Sequence, residues 1–597
     1  MRHMKTFAPL ALAAFLCACE PPSQKPAVPA PSPSPSKVSI EATPLPAVAA
    51  GAYVEGDVAG GGKLSATALF AGAELPKQAE VAVTINVEHC GAKILTENRI
   101  VDAASKGLKN VVVTVHGVAK GKKRSAEPLV VANKGCAFVP HVSAAVAGSK
   151  ITVTNGDPVL HTTHSYAGAA SFFNVSIPSG SAGVTRTLRG ASVVKLTCDV
   201  HNWMNGWVVV HTNPYFAVSD AQGKLEIADL PAGTYKVDAW HEDLGTVSTQ
   251  VTIESGKSTE AKFEFGKAGG GSASSAAPAA KVEPVASGLP LGLDEEERKI
   301  PADNPQTPEK IALGRALFFD PRLSKDDTVS CALCHSPRKG YSNGEAVATG
   351  VGGAKGGRGS PTIINRLFSE AQFWDGRAAS LEAQALGPIQ NPIEMALPID
   401  AAVKKLSAIP GYHGLFQKAF GSEEITPDRM AMAIASFERT VISGDSPFDR
   451  HESGDQSALS DAQKRGLALF RGKAKCSVCH TGFNLTDEKY HNLGVGMKAE
   501  KPDLGRNDET KQDADKGAFK TPTLREIALT APYMHDGSQK TLEEVVEFYN
   551  KGGEPNPTLD KELKPLNLTP EEKKDLVEIM KAFSGKLVVT EAPELPR

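Results

Sequence analysis

From about residue 47 to 266 the chain runs in short apolar or alternating stretches broken by turn residues: KNVVVTVHG, KITVTNGD, SVVKLTC, GWVVVHT, KLEIADL, TYKVDAW and STQVTIES. β-branched residues with period-two alternation and Gly/Asn/Asp punctuation predict strands. This half therefore reads as all-β, in two sandwich modules spanning 47–212 and 213–266. Beyond about residue 289 the period lengthens. In TLEEVVEFYN, Leu542, Val545, Val546 and Tyr549 share one helical face, and Thr541 with Glu544 forms a capping-box pattern. IALGRALFFD precedes the motif CALCH, and RGLALFRG precedes CSVCH, a weak internal repeat. It predicts a mainly α, two-lobed domain over 289–585, with a tail over 586–597.

Two low-complexity stretches separate these parts. EPPSQKPAVPAPSPSPSKV is too poor in apolar residues to fold and reads as a tether over 19–46; GKAGGGSASSAAPAAKVEPVASG reads as a flexible linker over 267–288. At roughly 150 residues per domain, 597 residues suit such a multidomain chain. A net charge of −3 gives no reason to expect a nucleic-acid partner. The opening MRHMKTFAPLALAAFLCACE has a basic start and an apolar run of signal-peptide length, so residues 1–18 are expected to be a secretory signal. Leu16-Cys17-Ala18-Cys19 resembles the lipobox of bacterial lipoproteins, which implies lipidation at Cys19 and an anchor on the periplasmic face of a bacterial membrane. Glu20 is not the Asp that marks inner-membrane retention, which favours the outer membrane.

The nine cysteines divide without remainder. Two belong to the signal, four to the CxxCH motifs, and Cys198 sits in CDVHNWM. Cys90 and Cys136 are left, and an oxidising compartment makes a disulfide their simplest fate. Each CxxCH is a c-type haem attachment motif: two thiols add to the haem vinyl groups and the adjacent imidazole reaches the iron. Cys331 and Cys334 with His335, and Cys476 and Cys479 with His480, are thus expected to hold two covalently bound haems.

Both motifs, together with FWDGRAASLEAQALGPIQNPIEM and FKTPTLREIALTAPYMHDG, make residues 289–585 resemble the bacterial di-haem cytochrome c peroxidase and MauG superfamily. The resemblance implies that the first haem is the peroxide site and that the second handles electrons. Gln384 and Glu394 match the distal Gln and catalytic Glu, a carboxyl that shuttles a proton between the peroxide oxygens. Trp374 matches a Trp between the haems. Peroxidase-type members close the first haem with a His in a glycine-rich loop, but that loop here reads ATGVGGAKGGRGSPT with Val351 at the aligned position, which implies an open first haem. Those members also put a Met on the second haem, fourteen residues after the His of the HDG motif. Fourteen residues beyond His535 is Tyr549, as in MauG-type enzymes, and a hard oxygen ligand favours higher iron oxidation states. Met534, beside the motif, is the rival ligand. Relatives bind calcium between the lobes, through carbonyls that match Thr530 and Pro532 and through an Asn where this chain has Gly359.

CDVHNWM in a β context suits type 1 copper, which needs a thiolate, two imidazoles and often a weak axial thioether. Cys198, His201 and Met204 are the local candidates, and ITVTNGDPVLHTTH supplies the other imidazole. The stretch resembles plastocyanin-like cupredoxins, an alignment that favours His161 over His164 and implies a Greek-key sandwich. His141, His164 and His241 read as structural. NPYFAVSDAQGKLEIADLPAGTYKVDAWHEDLG resembles transthyretin-like, carboxypeptidase-regulatory-like sandwiches and holds no catalytic cluster.

The expected function is a lipid-anchored periplasmic peroxidase that takes electrons from the fused cupredoxin or a small redox protein. One alternative is a MauG-like oxidase that uses peroxide to oxidise a protein substrate. Another is a non-catalytic carrier wiring copper to haem.

Overall fold

The strand Gly62–Phe70 alternates buried and half-buried residues along its whole length. GKLSATALF puts small or apolar side chains at every second position, and successive strand side chains point to opposite faces. The protein is described here from a computed structural model, for residues 53–168, 170–266 and 288–597. The expected signal, Cys19, the tether and nearly all of the linker lie outside the described residues. Among the described residues no helix is long and apolar enough to cross a membrane.

The β half consists of two sandwiches. One pairs a four-stranded sheet, in the order Val184–Thr187, Lys150–Asn155, Leu129–Asn133, Phe138–Val139, with a five-stranded sheet, in the order Ala170–Ile177, His161–Ala167, Ser192–Thr197, Asn205–His211, Val142–Val146. Its core contains Val131, Ile151, Val175, Leu196 and Val208. The other sandwich does not follow the expected division at 212/213. Its four-stranded sheet runs Phe216–Val218, Val112–Val115, Gly233–His241, Gly245–Ile253, and its three-stranded sheet runs Lys224–Leu230, Gly62–Phe70, Ser258–Phe265. An interior strand of each sheet comes from upstream, and Leu64 and Val113 share one core with Ile227 and Phe263. The first sandwich is thus inserted into the second. Residues 213–266 alone cannot close their own core, because Val112–Val115 and Gly62–Phe70 supply the hydrogen-bonded neighbours.

An excursion from the outer sandwich, with the short strands Glu80–Ala82 and Lys93–Leu95, buries Val83 and Ile85 in the core of the inserted one. Cys90 of this excursion is bonded to Cys136, with the Cα atoms 5.6 Å apart.

The helical half has two lobes. The first packs Pro308–Phe319 against Pro427–Glu438, and the second packs Asp461–Arg471 against Pro570–Lys581. Each contact needs a glycine. A Cβ on Gly314 would stand 1.8 Å from the Ala433 carbonyl oxygen, and one on Gly466 would stand 2.0 Å from that of Asp575. The repeat extends beyond the sequence signal: FWDG and MHDG form equivalent turns, bridged Gln372 to Ala378 and Tyr533 to Gln539, with Phe373 and Met534 both left-handed. Trp374 therefore occupies in the first lobe the place that His535 occupies in the second.

Two smaller expectations change. Thr541 accepts from the Glu544 N–H (3.2 Å), but the Glu544 carboxylate accepts from Lys540 N–H (2.6 Å) rather than from Thr541, so only half of the capping box forms. The tail over 586–597 is pinned to the first lobe. Tyr341 donates to the Val588 carbonyl (3.0 Å) and Arg322 to that of Pro596 (3.0 Å).

A fragment of residues 213–266 is expected to remain unfolded by circular dichroism and hydrogen exchange, whereas residues 53–266 fold cooperatively. A folded 213–266 fragment would contradict the shared-sheet topology.

Candidate functional site

A cavity of about 460 Å³ in the first lobe is lined by Cys331, Cys334, His335, Gln384 and Glu394, among others. The short helix Cys331–Cys334 and the His335 N–H bond to the Cys331 carbonyl (2.8 Å) bring the two thiols and the imidazole to one place. His335 Nδ1 donates to the Tyr341 carbonyl (3.3 Å), which fixes the tautomer and leaves Nε2 free to ligate. Burial lowers its pKa to about 4, so the ring is neutral at pH 7. His335 is the only histidine among the described residues lining this cavity. Val351 packs against the first-lobe core, and its N–H donates to the Glu394 carbonyl (2.8 Å).

Glu394 is held by Asn391, whose Nδ2 donates to Oε1 (2.9 Å), and burial raises the carboxyl above the ordinary Glu range. Gln384 projects from the helix Leu381–Gln390. Sequence reasoning missed Glu438, at the end of Pro427–Glu438. It is 4% exposed, its Oε2 has no hydrogen-bond partner, and burial pushes it up to about 8. On a helix it carries no signal that separates it from a solvated glutamate.

A second cavity, of about 230 Å³, is lined by Cys476, Cys479, His480, Met534 and Tyr549. His480 repeats the first-lobe arrangement, donating from Nδ1 to the Leu485 carbonyl (3.1 Å). Tyr549, on the helix Leu542–Asn550, has its phenol pKa driven far up by burial and then by the neighbouring Cys479 and Cys476 thiols. Tyr549 and Met534 thus both face this space, Tyr549 from a helix and Met534 from a turn. Thr530 and Pro532 also line it, and Thr530 lies against Gly340 of the first lobe. The two cavities share a wall that includes Ser360, Pro361, Thr362, Trp374, Lys520 and Pro522. Each cavity gathers two thiols and a neutral imidazole with one nitrogen free, a donor set that fits a covalently attached haem.

In the inserted sandwich His161, Cys198 and His201 are all buried, with their ligating atoms within 4.8 Å of one another. His161 Nε2 bonds to Asp157 Oδ2 (2.9 Å) and His201 Nε2 to Asn86 Oδ1 (2.9 Å), so each ring presents Nδ1 inward. His161 Nδ1 is buried without a partner. Two N–H groups, of Thr162 and His201, point at the Cys198 sulfur, each at 3.4 Å. Met204 is buried in the same core, and its N–H donates to the His201 carbonyl (2.9 Å). These donors fit type 1 copper. His164 lies elsewhere, bonded to Asp199 (3.1 Å). His141 pairs with Glu242, and His241 accepts from the Asp243 N–H (3.2 Å). Asn86 and Asp157 were not singled out in the sequence, because they act only by orienting another residue's ring.

Residues 308–457 match the family described as di-haem cytochrome c peroxidase. Over 299 residues the chain is 46% identical to the methylamine utilization protein MauG of Methylorubrum extorquens, covering 50% of this chain and 84% of that protein. A solved MauG-like protein associated with microbial copper homeostasis is 33% identical over 51% of this chain and 96% of its own, with a TM-score of 0.47. Amicyanin from Paracoccus versutus is 21% identical over 17% of this chain and 97% of its own, with a TM-score of 0.14.

In the copper-loaded protein, Cys198→Ser and His161→Asn are each expected to abolish the intense visible sulfur-to-copper absorption, whereas His164→Asn retains it. Absorption and EPR spectra of the three variants decide this. Loss in His164→Asn with retention in His161→Asn would reverse the ligand assignment.

Proposed function

Because the chain belongs to the di-haem cytochrome c peroxidase family, we propose that it reduces hydrogen peroxide to water at the first cavity, using electrons that enter through its own copper module from a small redox protein. The observation that carries this reading is the joint lining of that cavity by the CALCH residues, Gln384 and Glu394, with His335 as the sole histidine among its described lining residues. Lipidation at Cys19 and a place on the periplasmic face of a membrane complete the reading.

Haem bound there would supply the redox chemistry that splits the O–O bond. Glu394 removes a proton from one peroxide oxygen and returns it to the other, which leaves as water. Asn391 fixes the carboxyl for that transfer, and Gln384 offers an amide donor to orient the substrate. Trp374, in the wall common to both cavities, is placed to relay electrons between them. A second reading, peroxide-dependent oxidation of a protein side chain, is favoured by Tyr549 in the second cavity. A carrier without catalysis gains nothing from Glu394 and Gln384 beside the first motif.

Glu394→Gln is expected to slow the reaction of the oxidised holoprotein with hydrogen peroxide by roughly 10² to 10⁴-fold, the usual value of a positioned acid–base group. Stopped-flow absorption measures it. The starting form of Glu394 is the ionised base, and burial raises its pKa above 4.5. The rate should therefore fall as pH is lowered, along a limb displaced above the ordinary Glu value, and Glu394→Gln should abolish that limb. Unchanged kinetics in the variant would remove Glu394 from the mechanism.

A further inference from the structure

The copper-ligand loop and the second haem motif touch directly. Asp199 follows Cys198 in the chain, and its carbonyl accepts a hydrogen bond from Ser477 Oγ (3.2 Å). Ser477 lies between Cys476 and Cys479 and is buried. Val478, the next residue, packs against the core of the copper sandwich. A Cβ on Gly482, just past His480, would stand 3.7 Å from the Asn174 carbonyl oxygen of that sandwich. The first motif is bare by comparison, with Leu333 56% exposed.

A charge cluster holds this contact, with His164 buried and Asp199, Glu452 and Arg471 half-buried. His164 Nδ1 bonds to Asp199 (3.1 Å), and its Nε2 pairs with Glu452 (3.2 Å). Arg471 bonds to Glu452 (2.9 Å) and reaches Asp199 (3.8 Å). Two of these residues come from the copper sandwich. Glu452 and Arg471 end the helices Pro447–Glu452 and Asp461–Arg471, and the latter feeds the second motif. Asn174 adds a bond to Asp199 (2.8 Å). Separately, Arg186 of the sandwich pairs with Asp294 (2.8 Å) and Glu297 of the helical half. Buried charges are costly unless paired, so a cluster with two anions, a guanidinium and an imidazole sets one register and penalises others. A linker alone would only raise the encounter frequency of two mobile modules.

We propose that His164, Asp199, Glu452 and Arg471 form a fixed joint between the copper-ligand loop and the second haem's attachment loop, and that the Asp199–Ser477 hydrogen bond is the contact through which one electron passes from copper to the second haem. The joint rests on the copper and haem assignments made above, and it deepens them by naming the second haem as the copper's partner. In each passage Cu(I) would be oxidised to Cu(II) and the second haem would take back one electron after peroxide has drawn on it, while an external reduced redox protein restores Cu(I). Two such electrons, two protons and one hydrogen peroxide give two waters. The route from Cys198 to Cys476 is covalent except for the single hydrogen bond.

The test is pulsed one-electron reduction of the fully oxidised holoprotein, following the copper and second-haem absorption bands. The expected result is an electron-equilibration phase between copper and the second haem whose rate constant does not change with protein concentration. Ser477→Ala is expected to slow that phase while leaving both spectra in place. Arg471→Ala is expected to lose it, together with the fast relaxation that a nearby ferric haem imposes on the copper EPR signal. Absence of the concentration-independent phase in the unsubstituted protein would overturn the joint. An unchanged rate in Ser477→Ala would overturn the route. Loss of peroxide reactivity with this phase intact would refute the peroxidase reading alone, and peroxide reactivity without the phase would refute the joint alone.

Discussion

Trp374 is fixed between the two cavities by hydrogen bonds to both lobes, and the relation between the two haem positions depends on it. Its carbonyl accepts from the Lys520 N–H (2.7 Å), and its indole Nε1–H donates to the Gly359 carbonyl (2.9 Å). Arg358 ties the same turn across the lobes, reaching Asp375 (2.6 Å) and Asp503 (2.6 Å), and Arg506 donates to the Asp375 carbonyl (2.8 Å). Rotating the indole out of the wall would break its bond to Gly359, while the backbone bond from Lys520 and the Arg358 and Arg506 contacts tie its turn to the second lobe. That constraint keeps two separately built cavities at one separation.

The rest of the helical half obeys the same rule, in which buried polar groups are paired and thereby set geometry. Arg525 and Asp449 are essentially unexposed and paired at 2.6 Å, while Asp449 also closes the capping box of Ser446. Lys520, in the shared wall, pairs with Glu488 (3.0 Å), yet burial still lowers its pKa to about 8. Glu438 is one exception, an acid kept neutral by burial beside the first motif with one oxygen unpartnered. Burial favours its protonated form, so the stability tied to it is full below the ordinary Glu range, declines as pH rises above that range, and is gone by about pH 8.

What could be read from the chain alone was whatever acts through local spacing. CALCH and CSVCH declare themselves because thiols and imidazole are adjacent, and CDVHNWM does so almost as well. The alternating strand runs were equally plain, since burial on one face writes its period into the residues. The partners of those strands were not. Gly62–Phe70 pairs with Ser258–Phe265 across the whole inserted sandwich, and no short-range pattern encodes a pairing made at that distance. The joint was invisible for the same reason. His164, Asp199, Glu452 and Arg471 are individually ordinary surface-type residues, and only tertiary packing turns them into one cluster. Asn86 and Asp157 belong with them, since orienting an imidazole leaves no motif behind.

Acceptance of peroxide by the first cavity without prior reduction, with the Tyr549 side sharing the oxidising equivalents, is the step on which the proposed peroxidase function rests. It is tested most directly by optical and EPR spectra of the fully oxidised holoprotein before and after one equivalent of hydrogen peroxide, with no reductant present. The expected result is prompt loss of both ferric haem signals. Persistence of both signals until the second haem is first reduced would contradict it, because the first cavity would then be closed at rest.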